Sequence, residues 1–284
     1  MRLVTLRTAD GTRAGRLDGD EVVELADADV GALLASGPDW AERAAAADGP
    51  RHGAAEADLA PLVPHPAKIV CLGLNYQSHI EETGQQRPRY PTYFAKFARA
   101  LIGARDPIVL PAVSDAVDWE VELTLVIGRA ARHVAEHDAA AFVAGVTVAN
   151  DISVRDWQRR SSQILAGKTF ERTTPVGPAL VTLDELPGGW SDLTVRCEID
   201  GQVVQDGHTS DLLFTPEQII ADLTKIVTLD PGDLVLTGTP AGVGLARTPP
   251  VYLSAGQTVR TVIDGVGELV NTCVAEPAVV GSAR

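Results

Sequence analysis

The sequence predicts an α+β protein rich in antiparallel strands. Short apolar runs recur along most of the chain, and Asp-Gly pairs that favour hairpin turns separate several of them. Segments with a helical pattern are few, and they do not alternate with the strands as βαβ units require. A parallel, doubly wound sheet is therefore not expected.

Residues 1–65 are predicted to form a small N-terminal α+β domain, and residues 66–284 a larger one. Residues with a strand-like pattern flank the turn signal Asp10-Gly11. The Ala-rich, charged stretch 27–59 predicts one or two short helices. The boundary is placed at a stiff connector that contains Pro61, Pro64 and Pro66.

Apolar and β-branched runs predict the strands of the larger domain, at 68–74, 120–127, 145–149, 193–199, 233–237, 257–263 and 268–273. Helices are predicted at 139–144, 153–166 and 216–225. Ser153 and Asp156 resemble a variant capping box, which assigns Asp156 to the start of the second helix rather than to catalysis.

Composition excludes several classes of protein. A formal net charge of −14 repels phosphate backbones, so nucleic acid is not expected as a partner. The chain has no run of about 18 apolar residues that could cross a membrane, and its start lacks the apolar core of a signal peptide. Three widely spaced cysteines without a CxxC pair favour a reducing compartment, and we expect a cytoplasmic protein.

Three carboxylates form the candidate metal site. Glu120 and Glu122 stand two residues apart on a predicted strand, so their side chains share one face. Asp151 follows the strand 145–149. Oxygen ligands without Cys or His suit Mg²⁺ or Mn²⁺. In the alternative interpretation the two glutamates face solvent and Asp151 is a turn residue, although the apolar run 124–127 disfavours an exposed strand.

Lys168 lies in Gly167-Lys168-Thr169. It is either a buried cation that holds an oxyanion or a surface lysine. A phosphate-binding loop of the form Gly-x-x-x-x-Gly-Lys would need a further glycine five residues before Gly167, which is absent, so a nucleotide-binding protein is disfavoured.

Two further segments carry polar groups that could act on a substrate. His79 and Glu82 share a face of one helical turn, as expected for a water-activating base and its carboxylate, or for an exposed ion pair. The segment 237–244 either cradles a substrate carboxylate or forms a plain tight turn.

In their order along the chain, these segments resemble the fumarylacetoacetate hydrolase family. The resemblance covers roughly residues 66 to 274. The motifs that carry it are Gly73-Leu74-Asn75-Tyr76 with His79 and Glu82, Phe94-Ala95-Lys96, Asp118-Trp119-Glu120-Val121-Glu122-Leu123, Val126-Ile127-Gly128-Arg129, Asn150-Asp151-Ile152-Ser153-Val154-Arg155-Asp156, Gly167-Lys168-Thr169-Phe170, Pro231-Gly232-Asp233 and Thr237-Gly238-Thr239-Pro240.

The resemblance implies a mixed β-roll catalytic domain, usually dimeric, preceded by a small N-terminal domain. It implies that the three carboxylates bind Mg²⁺, Mn²⁺ or sometimes Ca²⁺, and that Lys168 stabilises an enolate. It also implies that His79 and Glu82 form a water-activating dyad on a mobile lid, and that Thr239 contacts the substrate carboxylate or oxo group.

Further substrate contacts are expected from two residues near this lid. Tyr76 belongs to the first motif. Arg87, like Arg89, is a candidate to bind a distal substrate carboxylate, or else a solvated surface arginine.

The chain departs from the family pattern in two places. Phe97-Ala98-Arg99 follows Lys96 where many relatives have Pro or Ser directly after the lysine, and the fourth metal carboxylate of true fumarylacetoacetate hydrolases has no counterpart in the N-terminal region.

The chain resembles the smaller bacterial members of the family, which act on acylpyruvates, 2-oxo-dienoates or oxaloacetate, more than the true fumarylacetoacetate hydrolases. Because the His79–Glu82 pair is present, we favour metal-dependent hydrolysis of a carbon–carbon bond in a 2-oxo acid. Decarboxylation and isomerisation at the same site stay open, as does a non-catalytic binder with this fold.

Overall fold

Strands outnumber helices in this computed structural model, which describes residues 1–277 and confirms the predicted mixed α+β fold. The strands are β1 Arg2–Thr8, β2 Gly11–Asp18, β3 Glu21–Glu24, β4 Arg51–Gly53, β5 Ile69–Gly73, β6 Thr92–Ala95, β7 Leu101–Ile102, β8 Ile108–Leu110, β9 Val117–Asp118, β10 Val121–Ile127, β11 Val143–Asn150, β12 Ser153–Val154, β13 Thr174–Val181, β14 Thr194–Ile199, β15 Gln202–His208, β16 Leu234–Leu236, β17 Thr258–Ile263 and β18 Gly267–Ala275. The helices are α1 Val30–Ala35, α2 Trp40–Ala46, α3 Gln77–Thr83, α4 Arg155–Gln158 and α5 Pro216–Ile226. None of these helices is long and apolar enough to cross a membrane.

The largest sheet has the strand order β4-β3-β2-β1-β13-β11-β10-β16-β5-β6, with β7 paired to β13. Strand β10 lies between β11 and β16, and every residue of β10 and β11 is buried. Because both faces of these strands are covered, their sequences are almost continuously apolar. The antiparallel register opposes Val121 to Asn150 and Glu122 to Ala149.

A second sheet, with the order β15-β14-β17-β18-β8, packs against the first. Leu123 and Leu125 of β10 share one apolar core with Val195 of β14 and Val259 of β17. The predicted turn at Asp200-Gly201 joins β14 to β15, and both of its residues have positive φ. The two sheets thus bury β10 and hold its first residues in place.

The N-terminal segment extends the large sheet. Strand β1 pairs with β13 through Arg2 opposite Val181 and Leu3 opposite Leu180. The two predicted short helices of this segment are α1 and α2, and the Asp29 side chain accepts from the backbone N–H of Ala32 to cap α1. The division into domains 1–65 and 66–284 stays a prediction, and residues 278–284 of the second lie outside the described residues.

Two predicted helices are wrong. Residues 139–144 do not form an α-helix: Glu136–Phe142 is a 3₁₀ segment. The chain then enters the sheet at Val143, where strand β11 with its β-branched residues begins. In the segment 153–166, β12 pairs with β9 and leaves only the short helix α4.

The predicted cap at Ser153 is also wrong, since Ser153 lies in β12 opposite Asp118. The Asp156 side chain instead accepts from Ser114 Oγ at 2.6 Å.

Candidate metal centre and active site

Strands β10 and β11 bring the three predicted metal ligands together. Glu120 directly precedes β10, Glu122 is its second residue, and Asp151 directly follows β11. Their carboxylate oxygens offer one atom each within 4.8 Å of one another. The three residues are 5%, 1% and 0% exposed, which excludes the solvent-facing alternative.

Two buried lysines neutralise part of this cluster. Lys168 Nζ donates to Glu120 Oε2 at 2.6 Å and to Asp151 Oδ2 at 2.7 Å. Lys96 Nζ donates to Asp151 Oδ1 at 2.5 Å and to the carbonyl of Ile152 at 3.1 Å. Lys168 is 2% exposed, so the surface-lysine alternative is wrong. Burial alone would lower the pKa of Lys168, but Asp151 and Glu120 raise it above its ordinary value, and the ammonium stays charged.

Among residues 1–277, no lysine or arginine forms an ion pair with Glu122. Its Oε2 accepts from the backbone N–H of Gly238 at 2.7 Å, while its buried Oε1 has no hydrogen-bond partner within residues 1–277. The pKa of Glu122 lies well above its ordinary value, chiefly because the side chain is buried and also because the Asp151 and Glu120 carboxylates are close. A bound cation that prefers oxygen ligands would give this buried carboxylate oxygen the partner that it lacks.

Asp118 and Arg155 support this centre, although the sequence alone indicated no role for either residue. Arg155 Nε donates to Asp118 Oδ2 at 2.7 Å, and its Nη2 lies 2.8 Å from Glu120 Oε1. Asp118 also accepts from the backbone N–H groups of Gly244 and Leu245, at 2.7 and 2.9 Å. Both residues stand in the motifs around Glu120 and Asp151 that carry the family resemblance, which was the one signal in the sequence.

The residues present fit a divalent cation. Burial would raise the pKa of Glu120, but Lys168 and Arg155 outweigh it and lower the pKa below its ordinary value. The cluster as a whole sets four buried carboxyl groups, those of Asp118, Glu120, Glu122 and Asp151, against the three buried cations Lys96, Arg155 and Lys168. The carboxyl group that forms no ion pair within residues 1–277 is that of Glu122. The donor atoms are all carboxylate oxygens, which suit Mg²⁺, Mn²⁺ or Ca²⁺ without selecting among them.

The predicted dyad lies on α3. His79 Nδ1 is 3.3 Å from Glu82 Oε2, and Glu82 Oε1 accepts from the backbone N–H of Gly242 at 2.8 Å. His79 is 9% exposed, whereas Glu82 is an exposed residue of α3. Helix α3 ends at Gly84, whose φ of 64° is the left-handed conformation that favours glycine.

A cavity of about 400 Å³ lies over the centre. Its lining includes polar side chains from α3, the carboxylate cluster, α4 and the loop after β16, among them His79, Glu120, Glu122, Arg155, Gln158, Arg159 and Thr239, together with Lys168. Thr83, Gln85, Thr92 and Ser161 also line it. Its apolar walls include Leu72, Phe94, Ile164, Val243 and Leu245.

Thr239 is held at the cavity by a residue on a strand that was not predicted. Its Oγ1 accepts from Gln205 Nε2 at 2.8 Å, and Gln205 Oε1 accepts from the backbone N–H of Val121 at 3.0 Å. Gly238 precedes it with a φ of 100°, and a Cβ there would lie 2.9 Å from the Asn75 Cβ. The turn therefore requires glycine, and Gln205 connects it to the start of β10.

The structure does not bring two expected substrate contacts to this cavity. Tyr76 is completely buried in the core, and its hydroxyl has no hydrogen-bond partner in the described part of the chain. Arg87 lies at a separate cavity with Arg89, Phe214 and Lys225. The arginine that lines the cavity beside the carboxylates, apart from the paired Arg155, is Arg159.

Buried carboxylates, a charged lysine and an imidazole thus form a candidate active site at one cavity. Residues 68–274 match the family described as fumarylacetoacetate (FAA) hydrolase C-terminal. The chain belongs to the fumarylacetoacetate hydrolase family.

Similar proteins include three with different named activities. The chain is 45% identical over 236 residues to the mitochondrial oxaloacetate tautomerase FAHD2A of Homo sapiens, a match that spans 82% of this chain and 75% of that protein. It is 31% identical to the solved 2-hydroxyhepta-2,4-diene-1,7-dioate isomerase of Mycobacterium marinum, with a TM-score of 0.79 over 98% of this chain and 99% of that one. It is 30% identical to the solved maleylpyruvate hydrolase of Sphingobium sp. SYK-6, with a TM-score of 0.79 over 97% and 100% of the two chains.

Proposed function

We propose that this enzyme interconverts the enol and keto forms of a 2-oxo acid of the oxaloacetate type, with a divalent cation as cofactor. The observation that carries the proposal is the unpartnered Glu122 Oε1 in a buried carboxylate triad, at the base of a cavity that also holds Lys168 and His79. The identity of 45% to an oxaloacetate tautomerase supports this choice of reaction.

Glu120, Glu122 and Asp151 would hold Mg²⁺ or Mn²⁺. When bound, such an ion supplies Lewis-acid stabilisation of the negative charge that develops on the 2-oxo oxygen during enolisation.

Lys168 provides the second stabilising charge. An ammonium has three N–H groups, and two of those of Lys168 donate to Glu120 and Asp151. The third is free to donate to an enolate oxygen in the cavity, where low solvent access strengthens the interaction. Phe94 covers the ammonium, with its ring centroid 4.8 Å from Nζ.

His79 moves the proton. Its Nδ1 faces Glu82, which leaves Nε2 to accept a proton from the substrate carbon and to return one. Glu82 is itself fixed by the backbone of Gly242, so the imidazole keeps one orientation. Thr239 Oγ1 accepts from Gln205 and has its own hydrogen free to donate to the substrate carboxylate.

Hydrolysis of a carbon–carbon bond in an acylpyruvate is the second candidate, and the His79–Glu82 dyad favours it because the pair can also activate water. The sequence favours this hydrolysis, which stays a prediction. The homodimer expected from the family resemblance also stays a prediction.

The test is a direct comparison of the two reactions with purified protein and Mg²⁺ or Mn²⁺. We expect the ultraviolet absorbance of enol-oxaloacetate to decay faster than in buffer, and EDTA to remove the acceleration. Faster cleavage of acetylpyruvate than tautomerisation of oxaloacetate would favour the second candidate. Absence of both activities with either metal would reject the proposed function.

A further inference from the structure

We propose that Arg159 selects 2-oxo acids that carry a second carboxylate, so that the substrates of this site are 2-oxo dicarboxylates. The inference rests on the proposed function, since it concerns the far end of the same substrate. It assigns to Arg159 the role that the sequence analysis offered to Arg87.

The position of Arg159 follows from the short helix α4. Arg155, Gln158 and Arg159 are spaced i, i+3 and i+4, which places them on one face of a helical turn, and all three line the cavity. The backbone N–H of Arg159 donates to the carbonyl of Arg155 at 3.2 Å, so the turn is formed. Arg159 therefore stands about 6 Å further along the helix axis than Arg155.

The neighbouring arginines are already engaged. Arg155 is paired with Asp118 and Glu120 at the metal centre. The guanidinium carbon of Arg160 lies 3.5 Å from the centre of the Trp157 ring, and Arg160 does not line the cavity. Within residues 1–277, the guanidinium of Arg159 forms no ion pair with a carboxylate. It is thus available to bind a planar carboxylate through two parallel hydrogen bonds.

The walls between the two ends are suited to a carbon chain. Leu72, Phe94 and Ile164 contribute apolar surface to the cavity, which Arg159 lines as well. A 2-oxo acid whose oxo and carboxylate groups lie at the centre and Thr239 would pass its carbon chain along these walls. A terminal carboxylate would then reach Arg159, whereas a terminal methyl would leave the guanidinium without a partner.

The experiment compares two unreactive ligands of equal chain length, 2-oxoglutarate and 2-oxovalerate, by calorimetry in Mg²⁺. Arg159→Gln should raise the Kd of 2-oxoglutarate about tenfold, because a hydrogen bond to a charged group is lost, and leave that of 2-oxovalerate unchanged. Arg159→Lys should restore part of the affinity for 2-oxoglutarate. Arg160→Gln, which removes the same charge from the adjacent position, should change neither Kd.

Equal weakening of both ligands by Arg159→Gln, or no weakening of either, would overturn the inference. Its failure is distinguishable from failure of the proposed function. If the wild-type protein binds 2-oxoglutarate in an Arg159-dependent way but accelerates no tautomerisation, only the reaction is wrong. If tautomerisation proceeds and Arg159→Gln behaves like Arg160→Gln toward both ligands, only the role of Arg159 is wrong.

Discussion

The backbone N–H of Asp151 donates to the carbonyl oxygen of Glu120 at 2.8 Å. This bond continues the antiparallel ladder of β10 and β11 by one residue beyond the pair Val121 and Asn150. The Asn150 side chain strengthens the junction, because its Oδ1 accepts from the backbone N–H of Glu120 at 2.9 Å. Two candidate metal ligands that are distant in sequence are therefore held at a fixed separation by the sheet itself.

The raised pKa of Glu122 predicts a pH-dependent stability of the metal-free protein. A carboxyl whose folded pKa lies above its unfolded value contributes stability that is fully present below the unfolded pKa and is lost as pH rises through the folded pKa. In EDTA, the Tm of the wild-type protein should fall more steeply than that of Glu122→Gln as pH rises above about 4.3, the ordinary pKa of a glutamate. Mg²⁺ should remove the difference. Parallel Tm curves for the two proteins in EDTA would contradict this assignment.

Lys168→Gln should separate catalysis from metal binding. The substitution removes the donor to the enolate, and kcat for tautomerisation should fall about 100-fold or more. The Kd for Mg²⁺ should stay the same or decrease, because a cation that occupies the carboxylates has been removed. Lys225→Gln, at an exposed position on α5, is the matched control. A large loss of Mg²⁺ affinity in Lys168→Gln would show that the lysine organises the centre instead.

His79→Ala should lower kcat by about 100-fold to 10,000-fold, since a positioned general base is lost. Added imidazole should restore part of the rate, a readout that a merely structural role would not produce. His52→Ala, which removes an imidazole paired with Glu24 in the N-terminal segment, should leave the rate unchanged. Wild-type rates in His79→Ala would remove the residue from the mechanism.

Gln205→Leu should weaken substrate binding and stability together. It leaves the buried N–H of Val121 without an acceptor, and the free energy of unfolding should decrease by about 2 kcal/mol. Because Thr239 loses the bond that orients its hydroxyl, KM should rise more than kcat falls. Gln202→Leu, at the exposed start of the same strand, is the control for denaturant unfolding and kinetics. Equal behaviour of the two variants would exclude this positioning role.

The strands that carry the metal ligands could be predicted because burial on both faces of the sheet demands apolar, β-branched residues there. Strand β13 could not, because Pro175 and Pro178 interrupt its pattern even though it lies inside the sheet. The long helix expected at 153–166 failed for a tertiary reason, since Ser153 and Val154 pair with β9.

The residues of the site likewise fall into those that sequence motifs predict and those that depend on tertiary structure. Glu120, Glu122, Asp151, Lys168 and His79 stand in motifs whose spacing or order is readable, and the structure places them around one cavity. Arg159 lines that cavity because of the length of α4, and Gln205 contacts Thr239 because β15 pairs with β14. Neither relationship can be read from residue spacing.

Calorimetric titration of the metal-free protein with Mn²⁺ tests the central claim most directly. We predict one ion per chain, with affinity at least about 100-fold weaker in Glu122→Gln and unchanged in Glu81→Gln, a glutamate on the exposed side of α3. Equal Mn²⁺ binding by the wild-type protein and Glu122→Gln, or none by the wild-type protein, would contradict the claim that these three carboxylates form a metal centre.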